Sequence, residues 1–258
     1  MRSLYLGLRQ VRYEGVAFIR NPAAAFFTFV FPLIFLVIFN LLFGNQELEL
    51  EGGTTNVSAF YVPAIAALSV INANYTGLAM SVSISRDQGL LKRLRGTPLP
   101  ASGFLVGRVV FMTLVAVALV AIVTLFGTLF YGVDIPTNTL PAFIISLMIG
   151  AAAFSLLGLA ITSFIPNADA APAVVNASIL PLLFISDVFI PLDEDGPRWL
   201  GLIGDLFPVK HLSVALQTAF NPFEVGSGFE WAHLGVIVLW GAFGALVAAR
   251  RFTWEPRV

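Results

Sequence analysis

The chain has 258 residues, 58% of them hydrophobic and only 11% charged, with 24 phenylalanines and a mean hydropathy of +0.89. Soluble domains carry about 25% charged residues, so a water-soluble globule is all but excluded and the bilayer becomes the relevant solvent. The formal net charge of −1 offers no basic field for nucleic acid, and without cysteine there are no disulfides, thiolate metal sites or cysteine nucleophiles.

Wound at 100° per residue, Leu4, Leu8, Val11, Phe18 and Ile19 share one side of the first segment, and Arg2, Arg9, Arg12 and Arg20 share the other. The pattern predicts an amphipathic helix over 1–22, lying in the membrane interface with its basic face toward headgroups or a partner. A plain positive-inside anchor accounts for the arginines equally well. Asn21-Pro22 ends this helix, and the segment does not read as a cleavable signal peptide because it runs straight into a full-length apolar span.

A helix needs roughly 20 apolar residues to cross the hydrocarbon core. Residues 23–43 contain no charge and predict the first span. The second covers 57–85 and is interrupted by Pro63. The third covers 104–131, with Arg108 near its start as a snorkelling anchor. The fourth and fifth cover 139–165 and 170–190, joined through Pro166-Asn167-Ala168-Asp169, and the sixth covers 231–249 before Arg250-Arg251. Between the fifth and sixth, residues 191–230 hold apolar stretches too short to span, punctuated by Pro191, Pro197, Pro208 and Pro222. They predict one or two short helices that re-enter the outer leaflet or lie on it. The expected fold is therefore an all-α polytopic membrane protein: one domain over 1–258, six spans, an N-terminal interface helix and short re-entrant helices.

Lys and Arg number four in 1–22, five in 86–108, none in 166–169 and three in 250–258, against none, none and two in the alternate loops 44–56, 132–138 and 191–230. This asymmetry places both termini in the cytoplasm of a multi-pass protein. No phosphate loop of the form G-x-x-x-x-G-K-[ST], no H-E-x-x-H and no G-x-S-x-G occurs, and His211 and His233 lie in or beside the outer segment, where an interfacial polar role suits them. Nothing in the pattern looks catalytic or metal-binding.

The loop S-R-D-Q-G-L-L-K-R-L-R-G-T-P-L-P over 85–100 is the most informative stretch. Gly89 ends or hinges the incoming helix. Leu90, Leu91 and Leu94 make an apolar ridge flanked by Lys92, Arg93 and Arg95, and Gly96 and Pro98 stop the short helix. Such a helix can dock in a groove on a soluble partner; a positively charged membrane anchor is the plainer alternative.

The segment Arg86-Asp87, Gly89, Leu94, Thr97-Pro98 resembles the coupling segment of ABC-2-type transporter permeases. Arg20-Asn21-Pro22 before a Phe-rich span containing Pro32 is similar to that family's junction between interface helix and first span. Phe184 to Leu192, then Pro197 to Leu200 and Phe207-Pro208, resembles its F-x-S-G-x-x-x-P, P-x-W-L and P signature, with Asp187 where the family commonly has Gly and Lys92 where an acidic residue is frequent. The resemblance implies a half-transporter in the cell's inner (plasma) membrane. Two permeases, a homodimer rather than a heterodimer, would associate with two copies of a separate ATP-binding cassette ATPase, which carries the ATP and Mg; this chain holds no cofactor. Contacts with the ATPase would come from Arg9, Arg12, Arg20, Asn21 and Pro22 of the interface helix and from the 86–98 segment. The substrate path would run between the permeases, along spans one, two and five.

In the second span Ser69, Asn72, Thr76 and Ser83 fall on one face, with Asn74 and Ser81 on another. The first stripe would line a path or glue helices together, since small polar residues do both. Asn176 is the deepest strongly polar residue of the fifth span, while Phe184 and Asp187 mark its outer mouth. Phe27, Phe31 and Phe35 offer an aromatic wall, although Phe also serves as lipid-facing filler. No charge lies unambiguously mid-bilayer, which weakens an ion-coupled carrier. The expected activity is ATP-driven export of a hydrophobic drug or lipid-like molecule, most like the daunorubicin-resistance branch. Polysaccharide export is the nearest alternative, an ion-coupled carrier a more distant one.

Overall fold

The computed structural model describes residues 2–44, 46–50, 53–94, 96, 101–186 and 198–255. Helix α1 (Arg2–Ile19) is followed by α2 (Pro22–Phe43), which keeps Pro32 inside it. A hairpin of β1 (Glu47–Leu50) and β2 (Gly53–Asn56), antiparallel with Glu47 opposite Asn56, then leads into the second span. No strand is expected there from the hydropathy. The Glu-Leu-Glu-Leu alternation before Gly52-Gly53 is the signal in the sequence that carries it.

The second span is one 31-residue rod made of α3 (Val57–Ile71), a π-helical turn over Asn72–Gly77 and α4 (Leu78–Asp87). Asn56 caps its start, its side chain accepting from the Ser58 backbone N–H at 3.1 Å. This rod is the centre of the protein: Val62, Ala64, Ile65, Ala66, Ala67, Val70 and Ile71 are all fully buried. A helix that is apolar all round belongs inside a bundle, and its run of alanines lets neighbouring backbones approach closely.

Around the rod stand α6 (Ala101–Tyr131), α7 (Leu140–Ile161) and α11 (Trp231–Arg251), with the five-residue α5 (Leu90–Leu94) leading toward α6. Five helices among the described residues are long and apolar enough to cross a membrane, namely Ala25–Phe43, Val57–Asp87, Gly103–Tyr131, Leu140–Ile161 and Trp231–Arg251. The segment expected as the fifth span contributes the shorter apolar helix α8 (Ala171–Phe184), and residues 187–190 lie outside the described residues. Its 14 residues rise about 21 Å, short of the roughly 30 Å hydrocarbon core. The result is an all-α polytopic membrane protein with one small hairpin.

The outer segment contains α9 (Arg198–Leu206) and α10 (Pro208–Phe220). Helix α10 packs into the bundle. Leu212, Ala215, Leu216 and Ala219 are fully buried among α3, α7 and α11, and Thr139 at the start of α7 donates its hydroxyl to the Ala219 carbonyl at 2.6 Å. Backbone polar groups at membrane depth are tolerated where protein surrounds them in this way.

The two ends of the bundle differ in character. One end gathers α1, α5, the 162–170 turn and the end of α11, and it carries most of the cations among the described residues. The other gathers the hairpin, the 132–139 connection and α9–α10, so that Thr55, Tyr131, Gly132 and Phe220 border one small cleft. The first is called the basic end below and the second the hairpin end.

Candidate transport site

A groove of about 390 Å³ opens beside the π-helical turn, in the half of the bundle nearer the basic end. Phe27, Phe31 and Pro32 of α2 form one wall; Asn72, Thr76, Met80 and Ser81 of the second span form another. Met112, Val115 and Leu119 of α6 close the back, and Phe18 of α1 closes the basic end. Both helices facing the groove carry a break in regular hydrogen bonding there. Pro32 lacks an N–H for the carbonyl four residues before it, and the π turn widens the helix by one residue. The Thr76 hydroxyl is buried at the wall without a hydrogen-bond partner, and such a buried polar atom costs about 1–3 kcal/mol until something pairs with it. The site is thus a mostly apolar slot with a few polar atoms at its walls, the usual make-up of a small-molecule pocket.

Four of the residues expected on the path, Phe27, Phe31, Asn72 and Thr76, meet in this groove. The others lie elsewhere. Phe35 sits one turn further along α2, edge-on to Phe31 at 4.8 Å and tilted against Phe39 at 5.8 Å. Ser69 is fully buried and donates to the Ile65 carbonyl at 2.7 Å, so its hydroxyl serves its own helix. Ser83 is also fully buried away from the groove. The stripe splits because the π turn adds a residue between Ser69 and Ser83, rotating everything after it by about 100°. Asn176 and Phe184 are exposed on the outward face of α8, and Asp187 lies outside the described residues.

Asn74, on the far side of the turn, is the polar hub. It is fully buried and donates to the Val70 carbonyl at 3.1 Å. Its side-chain oxygen accepts from Ser155 of α7 at 2.9 Å and from Thr113 of α6 at 3.4 Å. The next residue, Tyr75, shares a 2.7 Å hydrogen bond with Ser178 of α8. The π turn therefore touches spans three and four and the α8 helix through polar contacts, while its other face opens on the groove.

At the basic end the 86–98 segment divides in two. Arg86 is 1% exposed, and its guanidinium donates to the carbonyls of Thr162 at 2.9 Å and Ile165 at 2.7 Å. Asp87 accepts from the Ala168 backbone N–H and lies 3.6 Å from the Arg86 Nε. These two residues close the 162–170 turn rather than project from the loop. Gly89 has a φ of +67°, the left-handed conformation that a helix-ending glycine adopts without strain, with Gln88 as the C-cap. Leu91 is buried, while Leu90, Lys92 and Arg93 are exposed; Leu94 ends α5. Arg95, Thr97 and Pro98 lie outside the described residues.

Helix α1 lies tight along the start of α6. A Cβ on Gly107 would come within 2.6 Å of the Gly7 carbonyl oxygen, so only glycine permits this approach. Arg9, Arg12, Arg20, Asn21 and Pro22 are exposed, and Ile19, on the side expected to carry the apolar residues, is 75% exposed from the protein. Arg108 does not snorkel. It is 7% exposed, lies 3.5 Å from Glu14 of α1, and donates to the Ser85 hydroxyl at 3.0 Å. A carboxylate one helix away keeps this guanidinium inside the bundle, where a paired charge is tolerated. Glu14 carries no periodic signal, because Gly7, Val11 and Phe18 hide its face among apolar neighbours.

Residues 9–221 match the sequence pattern of the ABC-2 type transporter family. The chain belongs to that family. It is 28% identical over 197 residues to the ycf38 protein of Cyanophora paradoxa, whose name designates a transport permease, covering 74% of this chain and 66% of the relative. The inner membrane transport permease YadH of Escherichia coli K12 is 27% identical over 228 residues, with 85% of this chain and 81% of the relative covered. The daunorubicin resistance ABC transporter permease protein DrrB1 of Streptomyces coeruleorubidus is 25% identical over 209 residues, 78% of this chain and 69% of the relative. The chain spans 66% of the length of the ycf38 relatives of Cyanophora paradoxa and Pyropia yezoensis, just under two thirds. The ABC-2 match runs from within α1 through the groove and the 86–98 segment to the end of α10, and stops before α11.

Proposed function

We propose that this chain is the membrane permease subunit of an ATP-binding cassette exporter that moves a hydrophobic or amphipathic molecule outward. A second copy of the permease and two copies of a separate ATPase complete the complex. Both termini, and with them the basic end, face the cytoplasm. The observation that carries the reading is the groove at the π turn: an intramembrane slot walled by Phe27, Phe31, Met80 and Met112, with the buried Thr76 hydroxyl able to bond a single polar group. A flexible amphiphile or a small polyaromatic drug satisfies both features, while an ion finds no charge there.

Asn176 supports the paired permease. An asparagine on the open face of an apolar helix is expensive against lipid, and a second subunit would supply its partner. Lys92 and Arg93 support the separate ATPase, because they stand exposed beside the buried Leu91 at the basic end. No phosphate-loop motif occurs in this chain, so ATP and Mg belong to that partner.

Daunorubicin is the first probe, since a relative's name carries it and its own fluorescence reports binding. Met112→Trp, which fills the back of the groove, is expected to weaken binding to the purified protein by at least about tenfold, or 1.4 kcal/mol. Thr76→Val keeps the shape but removes the hydroxyl and is expected to weaken it about fivefold. Binding of the drug unchanged in Met112→Trp would remove the groove from the path. Separately, Lys92→Glu with Arg93→Glu is expected to abolish copurification of a nucleotide-binding subunit from detergent extracts. Retention of that subunit by the double variant would show that α5 is not its docking element.

A further inference from the structure

The two histidines of the chain, 22 residues apart in sequence, meet at the hairpin end. His211 sits in the first turns of α10 and His233 in the first turn of α11, with ring centroids 4.8 Å apart and planes inclined by 50°. Their Nδ1 atoms face each other at 2.7 Å. On its other side His211 meets the Asp205 backbone carbonyl, Nε2 to O 2.8 Å. His211 is 7% exposed, so this geometry is set by packing and not by water.

The hydrogen bonds dictate where protons sit. A carbonyl oxygen only accepts, so His211 carries its proton on Nε2 and, when neutral, presents a lone pair at Nδ1. His233 must then donate from its own Nδ1. One added proton leaves this bond intact: placed on the Nε2 of His233 it disturbs nothing at the contact, and the donor at Nδ1 is strengthened by the charge. A second added proton has nowhere to go but the Nδ1 of His211. Two N–H groups then point at each other across 2.7 Å, and the bond becomes a repulsion between two cations.

We propose that His211 and His233 form a proton-limited clasp that holds α10 to α11 with no added proton or one, and releases when both rings are charged. The clasp joins the start of α10 to the start of the last span, so its release loosens that corner at the hairpin end. Other contacts tie the same corner: the Trp240 indole N–H donates to the Leu206 carbonyl at 2.9 Å, and its ring stacks on Phe207 at 5.4 Å. These contacts do not titrate, so release loosens the corner without unfolding it.

The charged groups around the pair are few. Asp205 on α9 forms an ion pair with Lys210 of α10 at 2.7 Å, and Glu230 stands at the N-cap of α11. Burial, Lys210 and the first charge act against further charge on the pair, and the two carboxylates act in its favour. Helices α3, α7 and α8, which also pack against α10, contain no acidic, basic or histidine residue.

Because the chain has no cysteine, a spin-label pair at Leu202→Cys and Ala232→Cys, both exposed, reports the separation of the α9–α10 unit from α11 in the full chain reconstituted in nanodiscs. One interlabel distance is expected at about pH 8 and through loading of the first proton. Toward about pH 5 a second, longer distance should appear, the ratio of long to short rising about tenfold per pH unit, the slope of one proton. His233→Asn carries no charge, and its amide can turn to donate to a neutral His211 or accept from a charged one, so it should hold the short distance throughout. His211→Gln keeps the donor to the Asp205 carbonyl and should do the same, which guards against a fold defect in either variant alone. A single distance in the parent protein down to pH 5 would overturn the proposal. So would a long population that persists in both variants, since the change would then not depend on the histidine pair.

Discussion

Arg86→Ala is expected to destabilise the protein by about 3–5 kcal/mol, because it strips two buried carbonyls, Thr162 and Ile165, of a charged donor and leaves Asp87 beside an empty space. In detergent this corresponds to a fall of roughly 10 °C in the apparent melting temperature. Arg86→Lys should recover only part of the loss, since an ammonium cannot span two carbonyls as the planar guanidinium does. The reading matters because Arg86 begins the segment whose resemblance implies contact with an ATPase. A variant that melts like the parent but loses ATPase coupling would make Arg86 a docking residue and overturn the structural role. The Arg86 contact joins the end of the second span to the 162–170 turn, and so to both α7 and α8 on either side of it.

Gly158→Leu is expected to have an effect of similar size by a different route. A Cβ at Gly158 would lie 2.7 Å from the Asn74 carbonyl oxygen and 2.9 Å from that of Tyr75, both on the backbone of the π turn. Neither atom can step aside without moving the central rod. Overpacking of this kind costs about 1–3 kcal/mol, and the leucine adds further volume. Helix α7 should be driven away, breaking the Ser155–Asn74 hydrogen bond and shifting the turn that walls the groove. The expected outcome is a lower melting temperature together with loss of drug binding. Gly235→Ala, where an added Cβ meets nothing within 4 Å, should change neither. Unaltered melting in Gly158→Leu would contradict the close approach of α7 to the turn.

These two residues mark where reading the chain in one dimension succeeds and where it stops. Apolar block lengths and the break at Asn21-Pro22 place the long helices to within a few residues, since a span must be apolar and long whatever it packs against. The loop motif at 86–98 and the Phe-rich first span, both within the matched residues 9–221, carry the resemblance for the same reason: it rests on local chemistry. The polar stripe over Ser69, Asn72, Thr76 and Ser83 was legible only in part. Its phase assumes an uninterrupted 3.6-residue helix, and the π turn breaks that phase between its first and last members.

What the sequence alone determined is the solvent of this protein, the lengths of its long helices and the sidedness of its cations, all properties of single segments meeting a bilayer. The tertiary structure decided the pairings: Arg108 with Glu14, Arg86 with the 162–170 turn, Asn74 with Ser155, and His211 with His233. In each of these a polar group in an apolar setting must find its partner on another helix, because a buried charge or hydrogen-bonding atom is tolerated only when paired. Which helix supplies that partner depends on packing, and so on the glycines and alanines that let backbones meet, rather than on any spacing along the chain.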